Sequence, residues 1–161
     1  MVLTLFKILS LCCLLLIAIQ DFKERKVYLW LLVCGIVSMS QLFFFSVEVE
    51  LFLSNVLLNL SIILAILGIL YLYTNFKLKI KFNEALGLGD ILFFLGIAIS
   101  FPAITFILLF SFSLLFAFVS FLFLKPILKM STVPLAGLQA LFFFLIISIN
   151  WQLDYINLYL F

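Results

Sequence analysis

The sequence predicts an all-α polytopic membrane protein with six transmembrane helices in a single domain of 161 residues. Apolar residues make up 68% of the chain and charged residues only 10%, whereas soluble domains are about half apolar and a quarter charged. The apolar residues occur in runs long enough for membrane helices, and polar breaks separate these runs. The lipid bilayer is therefore the expected environment of the whole chain.

A transmembrane helix needs about 20 predominantly apolar residues, and six apolar segments can be outlined between the polar breaks. They cover, in order, residues 2–19, 27–47, 51–73, 91–101, 103–124 and 133–150, with approximate ends. The first segment contains Lys7 near its start and resembles a secretory signal in this respect. No small-residue cleavage site follows it, so we expect it to remain in the protein as a helix.

The fourth and fifth segments come from one charge-free stretch, residues 91–124. As a single helix this stretch would be about 51 Å long, against a hydrocarbon core of about 30 Å. Pro102 is the expected break, because proline lacks a backbone donor and disfavours helix in the residue before it. The fourth helix is then too short to cross the bilayer, and we expect it to start within the membrane.

The basic residues support this division of the chain. Of the nine Lys and Arg residues, eight fall after the first, third and fifth segments: Lys23, Arg25, Lys26, Lys77, Lys79, Lys81, Lys125 and Lys129. The other connections carry Glu48, Glu50 and Asp154 instead. The positive-inside rule places the basic connections in the cytoplasm and both termini outside. Because these residues lie in separate short loops, no nucleic-acid partner is expected.

Several kinds of chemistry are excluded by the residues present. The chain has no histidine, which excludes a His-Glu-x-x-His zinc peptidase and Ser-His or Cys-His nucleophilic catalysis. The three cysteines, Cys12, Cys13 and Cys34, lie inside apolar segments and are expected to be buried small hydrophobic residues. We therefore expect neither a metal nor a cofactor.

Two aspartates are the candidates for chemistry. Asp21 follows the first segment, and Asp90 precedes the fourth after Gly87 and Gly89. The predicted topology puts both aspartates at the cytoplasmic face, where two carboxylates from different helices can share one proton. One can then activate water while the other polarises a carbonyl, as in aspartic proteases. The glycines are expected to permit unusual backbone angles and close approach of a substrate.

Each aspartate also has a simpler interpretation. Asp21 by itself is typical of a solvated loop residue or of an ion-pair partner of Lys23 and Arg25. Asp90 by itself is typical of a helix N-cap, with the preceding glycines in a turn. Glu84 is interpreted as a loop charge.

Three motifs resemble those of the type IV prepilin peptidases, the bacterial branch of the Gly-x-Gly-Asp intramembrane aspartyl proteases. They are Asp21-Phe22-Lys23-Glu24-Arg25-Lys26-Val27, Gly87-Leu88-Gly89-Asp90 and Val133-Pro134-Leu135-Ala136-Gly137. The resemblance implies that Asp21 and Asp90 are the catalytic pair and that Gly87 and Gly89 form active-site backbone. It also implies a second group of residues that contact the substrate or support the site: Lys23, Arg25, Lys26 and Pro134.

The resemblance implies cleavage of the basic leader peptide of pilin-like precursors, prepilins or pseudopilins, at the cytoplasmic face of the bacterial inner membrane. Such cleavage serves type IV pilus assembly and protein secretion. The cysteine-rich domain of the larger members is absent, so their N-methyltransferase activity is not implied here. The oligomeric state and the identity of the precursor are left open by the sequence.

Two other functions remain as alternative hypotheses. A non-catalytic membrane subunit or degenerate homologue is favoured by Tyr28-Leu29, where the family often has Pro-Asn, and by Leu92, where it has Lys. A small proton or ion transporter is the third hypothesis, because carboxylates within membrane helices also serve proton relays.

Overall fold

The computed structural model describes residues 2–128, 133–153 and 158–159, and within these ranges it is helical without a strand. The helices are α1 (Val2–Glu24), α2 (Leu29–Phe44), α3 (Val49–Tyr73), α4 (Phe82–Ala85), α5 (Leu88–Ala98), α6 (Ala103–Leu128) and α7 (Leu135–Leu153). A π-helical turn, Thr74–Leu78, continues α3. The all-α prediction is confirmed.

Each predicted apolar segment overlaps one helix, and the single turn α4 is additional. The bounds differ in places: α5 begins and ends three residues earlier than the fourth segment, and α6 continues four residues beyond the fifth. The break expected at Pro102 is confirmed, because α5 ends at Ala98 and α6 begins at Ala103. The predicted end of the first helix near residue 19 is too early. The helix continues through the polar cluster to Glu24, which places Asp21 inside α1 rather than in a loop.

Among the described residues, four helices are long and apolar enough to cross a membrane: α1, α3 with its π-helical turn, α6 and α7. The apolar helices α2 and α5 are shorter, with 16 and 11 residues. The expected short fourth helix is thus present as α5, which is about 16 Å long. Six membrane crossings, the side that faces the cytoplasm and the start of α5 within the membrane stay predictions. Lys129 and Asp154 lie outside the described residues.

Helix α1 packs between α2 and α7, and α5 packs against α2, α3, α6 and α7. The core between them is built from apolar side chains such as Leu14 and Ile17 of α1, Phe93 and Ile97 of α5, and Phe143 of α7. Large apolar side chains of α3 and α6 cover much of the outer surface. An apolar exterior is expected where lipid replaces water as the surrounding solvent.

Two glycines allow close helix contacts on α2 and α5. A Cβ atom on Gly35 would lie 3.2 Å from Cβ of Cys13 in α1, and a Cβ atom on Gly96 would overlap the side chain of Ile36. Small residues at such crossings let helix backbones approach in a membrane, where dispersion contacts drive helix association. Gly96 therefore sets how closely α5, which carries Asp90, lies against α2.

Candidate active site

Asp21 lies in the last turn of α1, and its side chain is buried with 7% exposure. The helix ends three residues later, and Arg25 adopts a left-handed conformation with φ of 56°. The Arg25 N–H donates to the Asp21 carbonyl oxygen at 3.2 Å, which is a left-handed helix C-cap. The polar cluster thus stays helical long enough to bury Asp21 before the chain turns towards α2.

Asp90 is the third residue of α5, in the first turn of this short helix. The N-cap is Gly87, with extended backbone angles (φ −70°, ψ 147°) and no side chain to cap the helix. The interpretation of Asp90 as the N-cap residue is therefore wrong. Its carboxylate still lies near the positive end of the helix dipole, which favours a negative charge there.

The backbone angles expected of Gly87 and Gly89 are not unusual: no described glycine has a positive φ. This part of the prediction is wrong. A Cβ atom on Gly87 would instead lie 3.2 Å from Oδ2 of Asp90, which is tighter than an ordinary contact, whereas a Cβ atom on Gly89 would meet nothing within 4 Å. Gly87 thus makes room for the Asp90 carboxylate, and nothing in the structure explains Gly89.

The two carboxylates meet at the first turn of α7. The Gly137 N–H donates to Oδ2 of Asp21 at 2.7 Å, and the Ala136 N–H donates to Oδ1 of Asp90 at 2.8 Å. The first N–H groups of a helix have no acceptor within the helix, and hydrogen bonds from them to a carboxylate are charge-assisted. Two consecutive amides of α7 therefore hold two aspartates that come from different helices.

Glycine at position 137 is required by this geometry. A Cβ atom there would lie 2.8 Å from Cβ and 2.9 Å from Oδ2 of Asp21, and 3.3 Å from the backbone oxygen of Ala18. The preceding Pro134 is buried, and its carbonyl oxygen accepts the N–H of Leu138 at 3.0 Å, so it stands at the N-cap of α7. The supporting role predicted for Pro134 is thus consistent with its place directly before the two amides.

The roles of Ala136 and Gly137 were not predicted from the sequence, although both belong to the third motif. A signal was present: a helix predicted to start near residue 133 offers unpaired N–H groups in its first turn. A glycine in that turn indicates close approach of another group. Sequence spacing alone does not say which acceptor comes from elsewhere in the chain.

Two cavities adjoin the aspartates, and both are lined by Asp21, Asp90, Arg25 and Gly87. The first has a volume of about 570 Å³ and an apolar wall on the side of α6 and the start of α7. The side chains of this wall include Leu114, Phe118, Phe121, Val133 and Leu135. The second has a volume of about 360 Å³ and is also lined by Lys26, Val27, Gly89 and Ala136. The carboxylates thus line both cavities, the larger of which has one apolar wall.

The basic residues of the first connection are placed differently from one another. Arg25 lines both cavities, and its buried Nη1 has no hydrogen-bond partner in the described part of the chain. Lys26 lines the second cavity, whereas Lys23 is exposed and lines neither. Asp21 is not the solvated loop residue of the simpler interpretation, because it lies in α1, is buried and is bound to Gly137.

The described residues contain no group of three or more His, Cys, Asp or Glu side chains that could hold a metal ion. Of the three cysteines, Cys13 is buried as expected, whereas Cys12 and Cys34 are exposed on the apolar exterior. The chemistry available at the junction of the cavities is thus that of two carboxyl groups, one guanidinium group and backbone amides.

These features define a class of protein, a helical membrane protein in which a buried and a half-buried carboxylate lie beside one cleft. The family model of the type IV leader peptidase family matches residues 8–124. The chain belongs to this family and is accordingly a prepilin peptidase-like membrane protease. No curated protein and no solved structure matches the chain significantly. The family match includes both aspartates and ends before α7, so the amides that hold them lie outside it.

Proposed function

We propose that the protein is a membrane-embedded aspartyl endopeptidase. Its substrates would be pilin-like precursors, prepilins or pseudopilins, cleaved at the leader peptide on the cytoplasmic face of the bacterial inner membrane. One observation carries the proposal: consecutive amides of α7 bind one oxygen of Asp21 and one oxygen of Asp90 beside a common cleft. No cofactor is required for this chemistry.

The reaction needs one proton shared between the two carboxyl groups. The ionised member removes a proton from water, and the resulting hydroxide attacks the carbonyl carbon of the scissile peptide bond. The protonated member donates a hydrogen bond to the carbonyl oxygen and stabilises the tetrahedral intermediate. Transfer of a proton to the leaving nitrogen then breaks the carbon–nitrogen bond and releases the leader peptide from the mature protein.

The α7 amides contribute positioning. Each amide binds one carboxylate oxygen, so that Asp21 and Asp90 are held by separate donors. The backbone of Gly87 also hydrogen-bonds to the Asp90 carboxyl. Holding the reacting groups in one geometry before substrate arrives removes an entropic part of the barrier. Gly87 assists because its lack of a side chain leaves space beside Oδ2 of Asp90.

The two cavities suggest how a peptide would lie across the site. The apolar wall on α6 suits the apolar segment that follows the scissile bond in a pilin-like precursor. Arg25 is the basic residue best placed to bind a substrate oxygen, because it lines both cavities and no described residue pairs with its Nη1. Lys26 and Pro134 would support the site from either side, and Lys23 is the weakest candidate for contact.

The alternatives are less well supported by this geometry. A non-catalytic subunit has no use for two carboxylates held beside a cleft. The departures from the family pattern at Leu92 and Tyr28-Leu29 are the observations that favour this alternative. A proton relay needs polar groups through the depth of the membrane. The opposite ends of the helices offer mainly Ser, Thr and Asn side chains, several of which bond to backbone.

The test is cleavage of candidate pilin-like precursors by the purified protein in detergent or liposomes. Asp21→Asn and Asp90→Asn should each lower the rate by at least about 10²–10⁴-fold, because each removes one partner of the acid–base pair. Glu50→Gln is the matched control, since Glu50 is an exposed carboxylate in the first turn of α3. Cleavage at the wild-type rate by either Asp variant would refute the assignment.

A further inference from the structure

Helix α5 carries Asp90, and its two ends are held by different kinds of contact. At the start, Asp90 accepts the N–H of Ala136. Along its length α5 packs through apolar side chains, with the ring centroids of Phe94 and Phe110 at 5.1 Å and those of Phe93 and Phe143 at 6.3 Å. These ring contacts hold the middle of α5 against α6 and α7.

The other end of α5 is the break before α6, where helix carbonyl groups lose their partners. Ser100 satisfies two of them: its N–H donates to Ile97 O at 3.0 Å and its Oγ to Gly96 O at 2.7 Å. The carbonyl oxygens of Ala98 and Phe101 accept from Nδ2 of Asn59 at 2.9 and 2.8 Å. Asn59 therefore binds both sides of the break from a separate helix, α3.

A second asparagine of α3 binds the beginning of α6. Oδ1 of Asn55 accepts the Ala103 N–H at 2.8 Å. Asn55 and Asn59 are four residues apart and so lie on one face of α3. In α3, all of which the structure describes, only Asn59 and Ile63 are buried. The contact between α3 and the break is thus chiefly polar, and Asn59 is completely buried within it, with 0% exposure.

We propose that Asn59 is a positioning residue for the reaction: by binding the carbonyl groups of Ala98 and Phe101, it fixes α5 along its axis and so holds the Asp90 carboxylate beside Asp21. The inference rests on the proposed function. It assigns a role in catalysis to a residue that binds the opposite end of α5 from Asp90, about 12 Å away along the helix.

Without the donors of Asn59, two carbonyl groups at the break would lack partners. Unpaired backbone groups are strongly disfavoured in a membrane interior, where no water can replace the missing partner, so the break is expected to rearrange until those groups find other donors. A short rigid helix transmits such a rearrangement to its other end. A displacement of about 1 Å at reacting groups can lower a rate about 10²-fold, which sets the size of the expected effect.

The experiment compares Asn59→Leu, which removes both donors at nearly constant volume, with Asn55→Asp, which keeps the acceptor for Ala103 N–H. Asn59→Leu should lower kcat for leader cleavage about 10²-fold with little change in KM, while Asn55→Asp should keep wild-type kcat. Asn59→Gln retains the amide donors on a longer arm and should recover part of the lost kcat. If Asn59 had only a structural role, its replacement would lower thermal stability but would not lower kcat at a nearly constant KM.

A second readout needs no substrate. Spin labels at Leu88→Cys and Val133→Cys, in a variant lacking Cys12, Cys13 and Cys34, report the distance between the exposed starts of α5 and α7. Asn59→Leu should change this distance and Asn55→Asp should leave it as in the wild type. If Asn59→Leu does not fold, Asn59→Ser, which retains a single donor, is measured in both ways.

Wild-type kcat in Asn59→Leu would overturn the inference, whether or not the distance changes. The hydrogen bonds of Asn59 would then have no effect on the reaction. A lower kcat with an unchanged distance would overturn it as well. The Asn variants of Asp21 and Asp90 are measured in parallel. If those cleave normally, the proposed function itself has failed, and the distance measurement still tests whether Asn59 positions α5.

Discussion

At Gly137, the addition of a single methyl group should strongly lower the rate of leader cleavage. A methyl group there would overlap Cβ and Oδ2 of Asp21, so the carboxylate and the start of α7 cannot both keep their places. We expect Gly137→Ala to lower leader cleavage about 10²-fold, measured as kcat on a pilin-like precursor. Asp90 should be disturbed too, since its partner Ala136 is the adjacent residue.

Gly68→Ala is the control for this substitution, because a Cβ atom on Gly68 in α3 would meet nothing within 4 Å. It should leave cleavage unchanged and raise helix propensity slightly. If Gly137→Ala cleaves as fast as Gly68→Ala, the contact between α7 and Asp21 does not contribute to catalysis.

A chelator provides a further test at the level of single groups. The proposed acid–base pair needs no metal ion, and the described residues offer no cluster that could hold one. Cleavage should therefore be unaffected by prolonged dialysis against EDTA, measured on the same precursor. Loss of activity that added Zn²⁺ or Mg²⁺ restores would contradict the proposed chemistry.

At the scale of helices, the packing of α5 against α2 depends on Gly96. A Cβ atom on Gly96 would overlap the side chain of Ile36, so Gly96→Ala should push the two helices apart. We expect this overpacking to destabilise the protein by about 1–3 kcal/mol and to lower the rate of leader cleavage, because α5 carries Asp90. Thermal unfolding in detergent and kcat are the measurements.

The double variant Gly96→Ala with Ile36→Ala distinguishes crowding from other causes. Removing the outer atoms of Ile36 makes space for the new methyl group, and both the unfolding temperature and kcat should recover in part. No recovery in the double variant would mean that the loss does not arise from the contact between α2 and α5.

At the scale of the whole molecule, the arrangement of basic residues predicts the orientation in the membrane. Lys79 follows the π-helical turn of α3, whereas Glu48 precedes α3 at its other end. In a variant lacking the native cysteines, Lys79→Cys should react with an impermeant thiol reagent only from the cytoplasmic side, and Glu48→Cys only from the outside. The reverse labelling would place the aspartates on the outer side and contradict cleavage in the cytoplasm.

The same basic residues bear on binding of a basic leader peptide. Exposed lysines, Lys77, Lys79 and Lys81, follow α3 on the side where α5 begins. Such a cluster beside a membrane attracts anionic lipid headgroups and repels a positively charged peptide in water. The carboxylates of Asp21 and Asp90 lie in a cleft with one apolar wall, and none of these three lysines lines it.

Much of the fold follows from the sequence alone, because its causes are local. Hydrophobic runs of helical length produce the long helices, and Pro102 interrupts the charge-free stretch between α5 and α6. The charge pattern pairs Asp21 with Asp90, and both residues do line one cleft. The predicted end of α1 is too early. The polar cluster ends the apolar run, but the helix itself continues through this cluster to Glu24.

The tertiary structure decided what the sequence left open, and the reason is that each of these contacts joins residues far apart in the chain. Apolar periodicity and motif spacing contain no information on which acceptor the free amides of α7 bind, so the roles of Ala136 and Gly137 appear only when α1, α5 and α7 are packed together. The same holds for Asn59, whose donors reach a break some 40 positions later in the chain. Local sequence thus determined the helices and their charged ends, whereas the hydrogen bonds that bring the carboxylates together depend on packing between helices.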